Sequence, residues 1–349
     1  MLSMLVLALN SCDNSSKKID AQAEGKSNQQ EEISVNGLPK QSSPEADSVM
    51  EAINQKIRKD VNNPDLYIER SGLYELLGDN RAAVEDIDRA LRIDSTNLNT
   101  LIAQADFLLK RGELNTSARI LEHAKTLHPE ASIIYQKLSE LYLVAGNNKL
   151  SMENADNAVK YDKFNPKAYY LKGFNFIQLK DTTKSISSFR TAVEQDPEFF
   201  EAYMQLGTIF ASLHDPISLD YFNNALEVKP GNKEALYGIG MYQQENGLYN
   251  DAFITYAKLT KAHPNFKEAH FNIGYTHMYY LQMYSEAKSY FTDAINVDPN
   301  YYQAYYNRGY CHELLGDIRN AELDYKKALS IQPDYTLAAE GLSRLKEQP

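Results

Sequence analysis

The stretches "AVEDIDRALRIDS" at residues 83–95 and "AELDYKKALSIQP" at residues 321–333 keep their alanines and aliphatic residues in step, and they begin a multiple of 34 residues apart. A second pair, "AYMQLGTIF" at 202–210 and "AYYNRGYCH" at 304–312, repeats at the same period. Self-similarity at this spacing points to one supersecondary unit used many times. Working outward, the chain divides into units 64–97, 98–131, 132–165, 166–199, 200–232, 233–266, 267–301 and 302–335. The fifth is one residue short, placed near Asp215-Pro216, and the seventh one residue long, placed near Met283-Tyr284.

Each unit holds two amphipathic stretches of helical period joined by a short turn. Gly78, Gly112, Gly146, Gly247 and Gly316 mark the turn in five units. Pro129, Pro197, Pro230, Pro264, Pro299 and Pro333 close the second helix, because proline cannot continue the hydrogen-bond ladder. The eighth place is small: Ser71, Ala105, Ser139, Gly173, Gly207, Gly240, Gly274 and Gly309. A late alanine recurs at Ala90, Ala124, Ala158, Ala192, Ala225, Ala294 and Ala328, broken only by Leu259. Such residues let two helices approach closely. Large residues fill the fourth place: Tyr67, Leu101, Tyr135, Tyr169, Tyr203, Leu236, His270 and Tyr305.

This pattern resembles the tetratricopeptide repeat (TPR) family, whose order of large, small, aromatic and proline places is best met by Tyr203, Gly207, Phe210, Ser218, Phe222 and Pro230. Ser95 and Lys163 at the proline place, and Gln243, His277 and His312 at the tyrosine place, depart from it. The resemblance implies an all-α fold, a right-handed solenoid of about eight helical hairpins with a concave groove. Residues 48–63 are expected to form an amino-terminal capping helix and 336–349 a carboxy-terminal one, since repeat arrays need polar ends.

In the family, the first helix of each hairpin lines the groove at places five and nine. Here those places hold Tyr170 and Phe174, Met204 and Thr208, Tyr237 and Met241, Phe271 and Tyr275, Tyr306 and Tyr310, with Gln205, Asn272 and Asn307 at place six. Residues four apart on a helix share a face, so repeats four to eight present a ribbon of aromatic and methionine side chains edged with amides. This suits an extended peptide or a partner protein; the competing expectation is that the rings pack against one another. Repeats one to three differ, with Ile68, Gly72, Ile102, Asp106, Gln136 and Glu140. The lysine–asparagine combination with which some family members grip a terminal carboxylate is missing.

Before the array, Met1–Leu9 is apolar but too short to span a bilayer. Leu9-Asn10-Ser11-Cys12 resembles the lipobox of bacterial lipoproteins, which implies a signal peptide over residues 1–12, lipidation at Cys12 and an anchored location in the bacterial cell envelope. No Lys or Arg precedes the apolar run, a departure from the usual signal. Residues 13–47 are Ser-, Gln- and Glu-rich with almost no aromatic or branched side chain, and read as a disordered tether.

The net charge of -11 disfavours a general role on nucleic acid. The two cysteines, Cys12 and Cys311, do not make a disulfide framework. No phosphate loop or clustered Cys/His spacing is present, so neither catalysis, a cofactor, a bound metal nor a small-molecule substrate is expected. The function expected is a non-catalytic, membrane-anchored scaffold for envelope assembly or secretion. Two alternatives stay open: a cytosolic adaptor, and a metal-binding sensor using His270, His277 and His312.

Overall fold

The computed structural model describes residues 44–347, so the signal, Cys12 and most of the tether lie outside the described residues. Among the described residues there are eighteen α-helices and no strand. The chain divides between Lys163 and Phe164, after the second helix of the third repeat, into two units.

The first unit opens with α1 (Pro44–Lys59) and continues as three hairpins: α2 (Pro64–Leu76) with α3 (Asn80–Ile93), α4 (Leu98–Lys110) with α5 (Leu114–Leu127), and α6 (Ser132–Val144) with α7 (Asn148–Tyr161). Helix α1 starts four residues before the expected Ser48. Ala46 is buried there, so packing claims residues whose composition alone reads as tether. The second unit stacks α8 (Pro166–Gln178) with α9 (Thr182–Gln195), α10 (Phe200–Ser212) with α11 (Ile217–Val228), and α12 (Lys233–Glu245) with α13 (Tyr249–Ala262). Helix α14 (Lys267–Tyr275) runs into a π-helical turn, Thr276–Tyr280, and pairs with α15 (Tyr284–Val297). Helix α16 (Tyr302–Leu314) pairs with α17 (Ile318–Ile331), and α18 (Thr336–Glu347) closes the unit.

Local chemistry sets the boundaries. Asn97, Asp181, Asn232 and Asp317 cap helices by accepting a backbone N–H three residues on. The turn glycines adopt positive φ, and the three turns without glycine put Lys180, His214 and Gln282 into the same left-handed region at φ 57, 55 and 55°. The prolines stand two residues beyond the helices they follow, but α3 and α7 end at the same place without one.

Packing in the second unit is governed by rings on glycines. A Cβ added at Gly173 would lie 2.5 Å from the Phe189 ring, at Gly207 2.7 Å from Phe222, and at Gly240 2.4 Å from Tyr256. Gly274 and Gly309 meet Phe291 and Tyr325 in the same way. The first unit has Ile87, Leu121 and Ala155 at the ring place and Ser71, Ala105 and Ser139 at the glycine place. Small residue and partner thus change together: the flat ring needs glycine, while an aliphatic side chain leaves room for a Cβ. Phe222 also faces Gly238 of the following hairpin, and Tyr325 faces Gly341 of α18.

The π-helical turn absorbs the extra residue of repeat seven. Elsewhere the turn closes by an N–H bonding a carbonyl five residues back, as in Leu248 to Gln243 and Asp317 to His312. In repeat seven the Met283 N–H reaches His277, six residues back. The insertion therefore lies between His277 and Met283, inside the first helix, and not at Met283-Tyr284. The unbroken run "MYYLQM" at 278–283 offers no periodic landmark from which its place could be read.

Candidate functional site

The place-five aromatics of the second unit turn inward along the seams between hairpins. Tyr170 packs on Phe174, Phe189 and Phe199 at centroid distances of 4.9, 5.5 and 4.9 Å. Tyr237 meets Tyr256 and Phe266, Phe271 meets Phe291 and Tyr301, and Tyr306 meets Tyr325 and Tyr335. Each ring is thus shared between its own hairpin and the aromatic that precedes the next first helix. In repeat five, whose place-five residue is Met204, the residue before the next first helix is Asn232 instead of a ring.

Tyr170, Phe174, Met241, Phe271, Asn272 and Asn307 are buried, while Met204, Gln205, Tyr237, Tyr275, Tyr306 and Tyr310 are half-exposed. The amide edge is largely spent internally. The Asn272 amide nitrogen donates to the hydroxyls of Tyr237 (3.3 Å) and Tyr256 (3.2 Å) and contacts the Met241 sulfur. Gln244 Oε1 accepts from Tyr256 and Thr276, completing a buried polar network. Asn307 donates to the Gln303 carbonyl of its own helix. Gln205 is the amide of the three that keeps partial exposure.

Repeats seven and eight carry a tyrosine surface that is partly buried except at Tyr279. Tyr275 and Tyr279 stack nearly parallel, 5.5 Å apart at 8°, and Phe271 continues the column. Tyr306 and Tyr310 form a second parallel pair, 6.3 Å apart at 3°. Tyr279 is 63% exposed. It is carried by the π turn, together with Tyr280, which stacks on Tyr249 at 4.2 Å. Sequence reasoning left both out; the signal that marks them is the 35-residue spacing of the seventh unit. Single-turn π segments are frequent at functional sites.

Helix α18 borders this surface. Arg344 lies over the Tyr310 ring at 5.6 Å and donates Nε and Nη2 to the two Glu313 carboxylate oxygens, both at 3.0 Å. The Tyr325 hydroxyl donates to the same carboxylate. Burial pushes the Glu313 carboxyl up, but the Arg344 and Tyr325 hydrogen bonds outweigh it and hold the group below the usual range. Burial raises the Tyr306 phenol.

The three histidines are not brought together. His270 Nε2 contacts the Pro264 carbonyl at 3.0 Å, the six-residue-back contact that the Tyr67 and Tyr135 hydroxyls make to Val61 and Pro129. It therefore stands in for tyrosine. His277 is buried between Phe253 and Tyr290, with Nδ1 on the Ile273 carbonyl. His312 Nδ1 lies 3.0 Å from the carboxylate of Asp317, the cap of α17. Among the described residues, no group of three His, Cys, Asp or Glu side chains is placed to hold a metal ion. Cys311 is fully buried, and burial pushes its thiol up to about 12.

Stacked helical hairpins with ring-on-glycine seams and an exposed tyrosine face define an α-solenoid interaction scaffold. Tetratricopeptide repeat family models match residues 64–97, 166–199, 234–265, 267–301 and 302–335. The chain is a tetratricopeptide repeat protein. Human Tetratricopeptide repeat protein 13 is 24% identical over 141 residues, 40% of this chain and 16% of that protein, so the chain spans less than a fifth of this curated relative. The C-terminal part of a TPR repeat-containing protein from Cytophaga hutchinsonii superposes with a TM-score of 0.60 at 17% identity, covering 69% of this chain and 99% of that one. PilW, a widely conserved type IV pilus biogenesis factor, superposes with a TM-score of 0.50 at 21% identity, covering 60% and 98%. These likenesses are of fold.

Proposed function

We propose that the protein is a non-catalytic scaffold, tethered to a bacterial envelope membrane through lipid on Cys12, that holds a peptide segment or partner protein against the tyrosine surface of its second unit. What supports this reading is the parallel stack of Tyr275 on Tyr279, whose outer ring is exposed, together with the half-buried parallel pair Tyr306–Tyr310. Core packing alone would also bury Tyr279. Here Tyr279 is left largely in water, and aromatic surfaces of this kind mark interaction sites. Tetratricopeptide repeats generally bind proteins or peptides, which fits a surface rich in ring faces and hydroxyls. The lipobox-like segment and the polar stretch after it supply the anchoring part of the proposal.

The test is a cross-linking pull-down from native membranes, comparing wild type with the Tyr275→Ala/Tyr310→Ala double variant and with Tyr279→Ala. Both variants should keep wild-type helix content and lose most of the captured partner. Capture at the wild-type level by both would overturn the assignment of the surface.

A further inference from the structure

The exposed apolar side chains of the second unit are not scattered. In each of its five hairpins, the turn between the two helices presents a leucine at a helix end: Leu179, Leu213, Leu248, Leu281 and Leu315. Stacking sets successive turns side by side, so these leucines line one edge, joined at repeat seven by the exposed Met283. The opposite edge exposes only Phe164 and Leu337 among large apolar residues. Acids on the turn edge are engaged at helix starts: Asp181, Asp215 and Asp317 accept the backbone N–H groups of Lys184, Ile217 and Asn320. No Asp, Glu, Lys or Arg stands between Glu268 and Glu286, the stretch that carries the seventh turn.

The first unit shows where the rest of the chain joins. Asn54 accepts from Arg70 and Lys56 donates to Glu69, so α1 runs antiparallel to α2. The start of α1 therefore lies beside the end of α2, on the turn edge of that unit, where Val49 and Leu76 are exposed. Residues 1–43, headed by the apolar Met1–Leu9, join the body on this edge.

We infer that the turn edges of the hairpins rest on a lipid bilayer, with the leucines and Met283 in its interfacial layer. Backbone N–H groups of the turns are already bonded, as in Gly247 to Gln244 and Leu248 to Gln243, so the edge offers an extended peptide little to pair with. What it offers is non-directional apolar burial, which suits lipid. The net charge of -11 favours a zwitterionic surface over an anionic one. This goes beyond an anchor on Cys12, which would tether the body without orienting it.

The test uses the full chain as Cys12→Ala, so that attached lipid plays no part and the anchor is judged separately by fractionation of the wild type. Sedimentation with phosphatidylcholine vesicles should carry the protein down, and vesicles rich in phosphatidylglycerol should carry less. Leu281→Ser/Leu315→Ser, at exposed turn positions, should weaken binding at least about tenfold with helix content unchanged. Leu337→Ser, on the opposite edge, should not. The chain has no tryptophan, so Leu281→Trp and Leu337→Trp each add a single reporter. Brominated phosphatidylcholine should quench the first and spare the second, although Met1–Leu9 is present in both. Absence of vesicle binding, undiminished binding of the double serine variant, or equal quenching at 281 and 337 would overturn the inference. Tyr275→Ala/Tyr310→Ala should leave vesicle binding unchanged.

Discussion

At the scale of single residues, the chain enforces a rule: a ring at one place requires glycine at another. Gly240→Ala would put a Cβ 2.4 Å from the Tyr256 ring. Alanine gains about 1 kcal/mol of helix propensity over glycine, but overpacking of this kind costs about 1–3 kcal/mol, so the net change should be destabilising. Gly72→Ala, also inside a helix, meets nothing within 4 Å and should stabilise by about 0.5–1 kcal/mol. Urea unfolding of the two variants should therefore shift in opposite directions. Adding Tyr256→Leu to Gly240→Ala should recover part of the loss, because that pair reproduces Leu121 and Ala105 of the second repeat, which share one core cluster. The same scale explains His270: its ring nitrogen reproduces a tyrosine hydroxyl's contact, so a departure from the repeat pattern preserves the bond that the pattern serves.

At the scale of elements, α18 is fastened by one carboxylate. Glu313 is bonded by Arg344 and Tyr325, and its folded pKa is held below the ordinary carboxylate value. A depressed carboxylate contributes stability above its unfolded pKa, about 4.3, and loses it as pH falls through the folded value. Wild type should therefore be more stable than Glu313→Gln at pH 6, and the two unfolding midpoints should converge as the pH falls below the folded pKa. Parallel curves would show that this carboxylate does not carry the linkage. How far such elements are legible in sequence depends on periodicity. Gly78 and Gly316 announce their turns, but Lys180, His214 and Gln282 adopt the same conformation without the residue that advertises it. The insertion of repeat seven was countable yet not locatable, because Met278 to Met283 is apolar and aromatic almost throughout. The candidate site was partly legible for a related reason. Helical spacing identifies the face that Phe271, Tyr275, Tyr306 and Tyr310 share, but burial depends on the neighbour. Tyr170 and Phe271 are covered by Phe199 and Tyr301, residues of the linkers that follow their hairpins.

At the scale of the whole molecule, the tyrosine surface of the proposed function belongs to the second unit. Net charge of -11 favours approach of basic partners and discourages anionic ones. The anchoring part of the proposed function is a statement about Cys12. Cys12→Ala should move the protein from the membrane to the soluble fraction on cell fractionation, with helix content unchanged. A wild-type protein that is already soluble would remove the anchor.

The shared ring of repeat five bears on how the second unit would respond to load. Phe222 touches Gly207 in its own hairpin and Gly238 in the following one, so withdrawing it frees two hairpins at once. Under a stretching force applied along the chain, repeats five and six should therefore rupture as a single event of doubled contour length, a mechanical fuse set by one phenylalanine and two missing methyl groups.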